Sequence, residues 1–386
     1  MRSIAGSMFA LITLLASQTA FGQAGSINVV TSAVPFLRIS PDARAGGMGD
    51  LGLATAPDAN TMFWNLAKTP FNEGRGGLSV TYTPWLKDIG VGDVFLASLS
   101  GYYKIDEQSA FSGGFRFFSL GDIQFTNFSG DPLSTGKPTE MGIDLGYSRK
   151  LNEKWGIGAA LRYINSNLAR GLPANSGVDY RAGNTVAGDI SVFYNGVDDE
   201  GQGIRFGAAM SNLGGKIGYT NNTTERDYIP ANLGIGASYT AAFDEQTKLM
   251  FGVDLNKLLV PTPPRVTGDP DLDEQALFNY RNKGVVSSWF SSFGDAPGGF
   301  REEMQEVTIS AGAEFIYQDQ FFVRAGYFFE NPNKGNRKFA TAGFGIKYNT
   351  FKLDFSYLVP SGSGTNRNPL SNTLRFALTF DLDSAE

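Results

Sequence analysis

The stretch WGIGAALRYINSN places Trp155, Ile157, Ala159, Leu161 and Tyr163 in one column and Gly156, Gly158, Ala160 and Arg162 in the other. A period of two sends the columns to opposite faces of a strand, whereas a helix would scatter them. The same split recurs in QFFVRAGYFFE, where Phe321, Val323, Ala325, Tyr327 and Phe329 oppose Phe322, Arg324, Gly326, Phe328 and Glu330. In LRFALTF, Leu374, Phe376, Leu378 and Phe380 oppose Arg375, Ala377 and Thr379. Segments of this kind begin near residues 77, 94, 109, 141, 155, 186, 204, 232, 247, 307, 321, 339, 351 and 372. They predict fourteen strands, most about ten residues long, the length at which a strand tilted by about 45° crosses hydrocarbon.

The connectors sort by parity. DEQ, NEK, QDQ and little more than Thr350 join the second to the third, fourth to fifth, tenth to eleventh and twelfth to thirteenth segments. The connectors between are longer, and one runs from about 257 to 306. Short turns at one rim and long loops at the other are the pattern of an outer-membrane barrel. In lipid every backbone donor and acceptor needs a partner, so such a sheet must close. The fold predicted is all-β: a membrane β-barrel of fourteen antiparallel strands over residues 77–386. Fourteen strands enclose a lumen. The only large piece left to fill it is 23–76, which is therefore predicted to be a plug.

Composition supports this reading. The chain has 48 Gly and 13% aromatic residues, as expected for small residues on a crowded inner wall and aromatic girdles at the membrane interfaces. Residues 1–22 carry Arg2, an apolar run from Met8 to Ala16 and small residues before Gln23, the pattern of a secretory signal with cleavage expected after Gly22. No later run approaches the ~20 apolar residues of a transmembrane helix. The net charge of −6 argues against nucleic acid as a partner. There is no cysteine and no histidine, which removes disulfides, the Ser-His-Asp triad and the commonest zinc-ligand sets.

Four local features bear on function. Gly47, Gly49 and Gly52 in GGMGDLG fit the spacing G-x-G-x-x-G, but no hydrophobic strand precedes them and no helical stripe follows, so a dinucleotide site is not predicted. These glycines are read as allowing positive φ and close approach of the plug to the wall. In the long connector, VVSSWFSSF sets Val286, Trp289, Phe290 and Phe293 on one helical face, with GDAPGGF, ending at Phe300, as the stop. That face either packs across the barrel mouth and closes it, or forms part of a cargo or translocon interface. Asp269, Asp271 and Asp273 in GDPDLDEQ are read as a solvated acidic turn, because Glu274 stands where a calcium loop needs glycine; no metal or other cofactor is expected. Arg116, Asp144, Arg162, Asp189, Arg205, Asp254, Glu314, Arg324, Lys347 and Asp354 fall opposite the apolar columns, as charges that neutralise one another inside the barrel and anchor the plug.

At GGMGDLGLATAPDANTMFWNLAK the chain resembles the plug of the FadL-like outer-membrane barrels, whose hatches commonly end in Asn-Pro-Ala; Asn65, Leu66 and Ala67 stand there, without the proline. SAVPFLRISPDARAGGMGDLG, SVTYTPWLKDI, FFSLGDIQFTN, LGYSRKL and SSWFSSFGDAPGGFREE together resemble the PorV family, the FadL-like component of type IX secretion. The resemblance runs from about residue 29 to the last strand. It implies a non-enzymatic protein of the outer membrane that docks on an SprA-type translocon barrel. Such a protein collects secreted proteins by their C-terminal signal domains and passes them to a PorU-type sortase. The alternatives are a FadL-like transporter of small hydrophobic molecules and, third, an outer-membrane enzyme. A greasy substrate calls for an apolar lumen, and the charges and glycines of the inner wall favour the secretion reading.

Overall fold

The computed structural model describes residues 27–382 apart from 87–91, 128, 172–178, 223–224 and 360–371. The signal segment and its expected cleavage site lie outside the described residues. Fourteen strands close a barrel. They are β1 (Gly76–Pro84), β2 (Val94–Lys104), β3 (Ser109–Leu120), β6 (Thr139–Lys150), β7 (Trp155–Asn167), β8 (Gly183–Val197) and β9 (Gly203–Gly214), followed by β10 (Asn232–Ala242), β11 (Thr247–Leu258), β12 (Thr308–Tyr317), β13 (Phe321–Phe329), β14 (Lys338–Tyr348), β15 (Phe351–Val359) and β16 (Leu374–Leu382). Every sequential pair is antiparallel, and β1 closes on β16 with Gly76 opposite Leu382 and Tyr82 opposite Phe376. Two further strands, β4 (Ile123–Thr126) and β5 (Pro132–Gly136), form a separate hairpin that extends the β3–β6 connection above the rim.

The predicted columns separate as expected, with the apolar one outside. Across the β6–β7 pair Leu145 faces Leu161 and Asp144 faces Arg162. The leucines are 65% and 68% exposed, the charged pair 6% and 3%. A water-soluble protein would invert this arrangement, since exposed apolar surface on that scale is a cost in water and a gain in lipid. Phe111, Phe115, Ile157, Phe251, Val253, Val323 and Leu353 continue the outward surface. The connectors 105–108, 151–154, 198–202, 243–246, 318–320 and 349–350 make one rim, and all the longer loops make the other.

Residues 34–72 are buried almost throughout, and their partners are inward-facing groups around the whole ring. Ser100 of β2 donates to Asn60 at 2.8 Å, Asp254 of β11 accepts from Gly52 and Leu53 at 2.7 and 2.9 Å, Thr341 of β14 accepts from Gly49 at 2.8 Å, and Arg375 of β16 pairs with Asp50. A segment that touches opposite walls at once lies within the lumen. Its centre is a four-member charge chain. Arg44 reaches Glu314 through Nε at 3.0 Å and Nη2 at 2.7 Å, Arg324 reaches the same carboxylate at 2.7 Å, and Arg324 Nη1 reaches Asp354 at 2.7 Å. A second cluster joins Arg116 and Arg162 to Asp144, and Arg162 to Asp189 at 2.8 Å. The charges of these two clusters thus meet opposite ones, whereas Arg205 is held by Asn195 and Thr240 and Asp254 by the Gly52 and Leu53 amides; either kind of partner makes an inward charge tolerable away from water.

The glycine motif serves close approach. Gly49 has φ 72°, and a Cβ there would sit 2.7 Å from the Tyr327 backbone. A Cβ on Gly47 would meet Gly343 at 3.0 Å, and one on Gly52 would overlap the Trp64 ring. Asn65 caps the short helix Leu66–Phe71 by accepting from Ala67, and its amide donates to Leu53 and to Val192 of β8, each at 3.0 Å.

Candidate functional site

The long-loop rim is built from three pieces distant in sequence. The first is the arm preceding the lumen segment: Asn28 donates from its backbone to Asn333 at 3.1 Å and from its side chain to Pro263 at 3.2 Å, while Ala33 donates to Tyr228 at 2.8 Å. The second is loop 215–231. The third is 259–307, which carries α1 (Pro270–Asn282), α2 (Val285–Ser291) and α3 (Phe300–Gln305).

Helix α1 corrects the expectation of an acidic turn at 269–273. Asp269 is its N-cap, accepting from Asp271 and Leu272, Pro270 takes the first turn, and Asp271 and Asp273 complement the positive helix end. Asp273 also accepts from Thr267 and Gly268. Among the described residues no acidic or histidine-type cluster is arranged to hold a metal ion. At the other end of α1 the Lys216 ammonium donates to the Lys283 carbonyl at 2.9 Å and lies 4.1 Å over the Tyr228 ring, whose hydroxyl donates to Lys283 at 2.7 Å. Loop 215–231 thereby holds the C-terminus of α1.

The predicted helix over VVSSWFS forms, and of its expected face Val286, Phe290 and Phe293 are exposed while Trp289 is turned partly inward with its indole nitrogen buried. Ser288 and Ser292 are fully buried, whereas Phe290 is 73% exposed and Val286 and Phe293 are exposed with it. Trp289 is half-buried and Phe300 is exposed at the start of α3. The exposed faces of Phe290 and Phe293 are therefore covered by nothing among the described residues. The reason is local: Val285, one position away, already packs with Val30, Tyr228 and Val260 on the rim, and Ser288 bonds back to Val285 at 2.6 Å. Met304, Leu272 and Phe278 add exposed apolar surface that the sequence pattern did not single out.

Beneath α3 lies an ion-pair network. Lys257 meets Glu303 at 2.9 Å and Glu306 at 2.6 Å; Lys334 meets Glu302 at 2.7 Å and Glu306 at 2.8 Å; Thr262 donates to Glu306 at 2.7 Å. Burial works to raise the Glu306 carboxyl, but the two ammoniums and the hydroxyl outweigh it and hold it below its ordinary value; Glu302 is held down in the same way by Lys334, Gly298 and Arg265. A carboxylate lowered in the folded state stabilises above its unfolded value and loses that contribution as pH falls through the folded one. Protease cleavage within 259–307 is therefore expected to rise below about pH 4 and to stay flat from pH 5 to 8. A rise within the neutral range would contradict this account of the cap.

Two hollows open at this rim. A groove of about 750 Å³ runs between the arm and α1, lined by Pro35, Tyr219, Tyr228, Pro263, Leu277 and Tyr280 among others. A second, of about 650 Å³, lies in the lumen above the charge chain and is walled by Phe36, Leu37, Trp85, Phe118, Phe328 and Phe339, with Arg38 and Arg337 at its side. Arg116, Arg162, Lys334 and Arg375 also line it, so apolar and charged groups share the inner wall at that level. Glu330 binds Arg337 at 2.8 Å and stands 3.7 Å from Arg38.

A closed fourteen-strand barrel with an apolar exterior, filled lumen and elaborated long-loop rim is an outer-membrane β-barrel of FadL-like architecture. The model of the type IX secretion system protein PorV matches residues 22–265, more than half of the 386-residue chain, and the chain belongs to that family. No curated protein matches it. Among solved structures it resembles the Ralstonia pickettii toluene transporter TbuX at 14% identity and TM-score 0.52, covering 89% of this chain and 97% of that one. It also resembles a TodX deltaS2S3 mutant monoaromatic hydrocarbon channel at 12% identity and TM-score 0.51, covering 87% and 96%. A Pseudomonas aeruginosa FadL homologue aligns at 13% identity and TM-score 0.48, over 89% and 98%. At such identities these likenesses concern the fold.

Proposed function

We propose that this chain is a non-enzymatic component of type IX secretion, exported by a cleaved signal and seated in the outer membrane. It docks on an SprA-type translocon barrel, binds the C-terminal signal domains of exported proteins at its cell-surface end, and passes them to a PorU-type sortase and attachment complex. The observation that carries this reading is the contrast between the two ends of the lumen. Below, the N-terminal segment is tied by hydrogen bonds to the opposite strands β2 and β11 and by ion pairs to β12 and β16, and works as a plug. Above, the loops are ordered around an open groove whose tyrosines, prolines and leucine suit an extended peptide segment.

Purification from outer membranes in mild detergent should bring translocon and cargo with the chain. The double variant Leu277→Asp and Tyr280→Ala, which alters the groove and leaves the barrel wall untouched, should reduce cargo recovery at least tenfold while translocon recovery persists. Undiminished cargo would place the binding surface elsewhere. The second reading, passage of small hydrophobic molecules, is favoured by the aromatic part of the lumen hollow's wall, Phe36, Trp85, Phe118, Phe328 and Phe339. It requires the plug to leave its ion pairs, and uptake by the wild-type chain in vesicles would support it.

A further inference from the structure

We infer that the outward face of α2, continued by Phe300, is a membrane-contact surface that rests in the headgroup–acyl boundary of the surface leaflet. The inference goes beyond the secretion reading and depends only on the barrel. Three observations carry it. The first is polarity: α2 contains no charged residue, buries Ser288 and presents Val286, Ser287 and Phe290 outward, with Phe293 exposed two residues past its end. In water that arrangement is unfavourable by the apolar area it exposes.

The second observation is position. On β11 the odd residues Phe251, Val253 and Leu255 form the lipid-facing column, while Asn256 and Leu258 line the lumen hollow. Alternation assigns Lys257 to the outer column, one step of about 6.6 Å above Leu255. Its ammonium lies 5.9 Å from the centre of the Phe293 ring. Phe293, just past the end of α2, thus stands against the top of the wall strand whose outer column faces lipid, while the Lys257 ammonium itself turns in to Glu303 and Glu306. The third is continuity along the rim: Ile309 on β12, just past α3, is also outward and exposed.

Aromatic side chains without charges, set just above a hydrocarbon-facing column, match the interfacial belt of membrane proteins. A protein partner in water would leave the face exposed whenever it departs, whereas the leaflet covers it permanently. The contact would hold the long loop against the membrane and leave the groove between the arm and α1 clear.

The absence of cysteine from the chain allows a direct test. Single variants Phe290→Cys and Phe293→Cys, nitroxide-labelled, are placed in nanodiscs of phosphatidylcholine and phosphatidylglycerol with no partner present. Leu255→Cys serves as the lipid control and Asp122→Cys, in a loop, as the aqueous one. Unheated mobility on a gel verifies that each barrel is folded. The expected result is a ratio of oxygen to nickel-chelate collisions at 290 and 293 several-fold above Asp122→Cys and near that of Leu255→Cys. A ratio at 290 equal to the aqueous control, or a label there that neither reagent reaches, overturns the inference. Because no translocon or cargo is in the sample, that failure would leave the secretion reading standing.

Discussion

Replacing Gly326 with valine should open the barrel without unfolding it. Gly326 lies mid-strand in β13 opposite Gly312, and a Cβ there would land on the Met48 carbonyl carbon and the Gly49 nitrogen. Those atoms are backbone, pinned by Gly49 at φ 72°, so they cannot swing aside as a side-chain tip would. The wall itself accepts the change, because valine suits a strand interior better than glycine does. The N-terminal segment must then leave its seat. Residues 27–72 should become protease-sensitive from the short-turn rim, and the reconstituted variant should conduct ions at least ~10-fold better than the parent, since a lumen of this strand number leaks when unfilled. A variant that stays closed and protected would mean the segment is not held against β13.

The second large effect is expected from Glu314→Ala. Its carboxylate is shared by Arg44 and Arg324, and the Glu314 and Arg324 side chains are 1% and 0% exposed. Removing it leaves two guanidiniums facing one another away from water, with Arg324 retaining only Asp354 and Arg44 only Asp58 among carboxylates. Breaking a buried pair in this way costs about 3–5 kcal/mol, so the urea midpoint for loss of the fast-migrating gel form should fall markedly. Lys248→Ala, which removes an ion pair to the exposed Asp319 at the short-turn rim, should leave that midpoint where it was. Equal behaviour of the two variants would contradict the view that the charge chain fastens the segment.

How much was legible in the sequence follows from the range of the forces involved. Alternation is a property of nearest neighbours, so the strand count, the parity of the connectors and the inward position of Arg162 or Glu314 could all be read residue by residue. The clustering of glycines at 47–52 was legible as close approach for the same reason. What the arm does was not, because Asn28 finds its partners at Pro263 and Asn333, and no local pattern marks them. Helix α1 did carry a signal, an Asp N-cap followed by proline and two acids, which a calcium-loop template obscured. For VVSSWFSSF periodicity identified the face but not its direction. That was decided by Val285 packing against Val30 and Tyr228, contacts distant in sequence. The aromatic cluster in the wall of the lumen hollow, Phe36 with Phe118 and Phe328 with Phe339, depends likewise on contacts between separate segments.

The central claim is that the apolar columns face lipid on a closed barrel. Outer membranes washed with alkaline carbonate and then urea, with the pellet run on a gel both unheated and boiled, test it most directly. The account predicts that the chain stays in the pellet and migrates faster before boiling than after. Release into the wash together with a single mobility would contradict it.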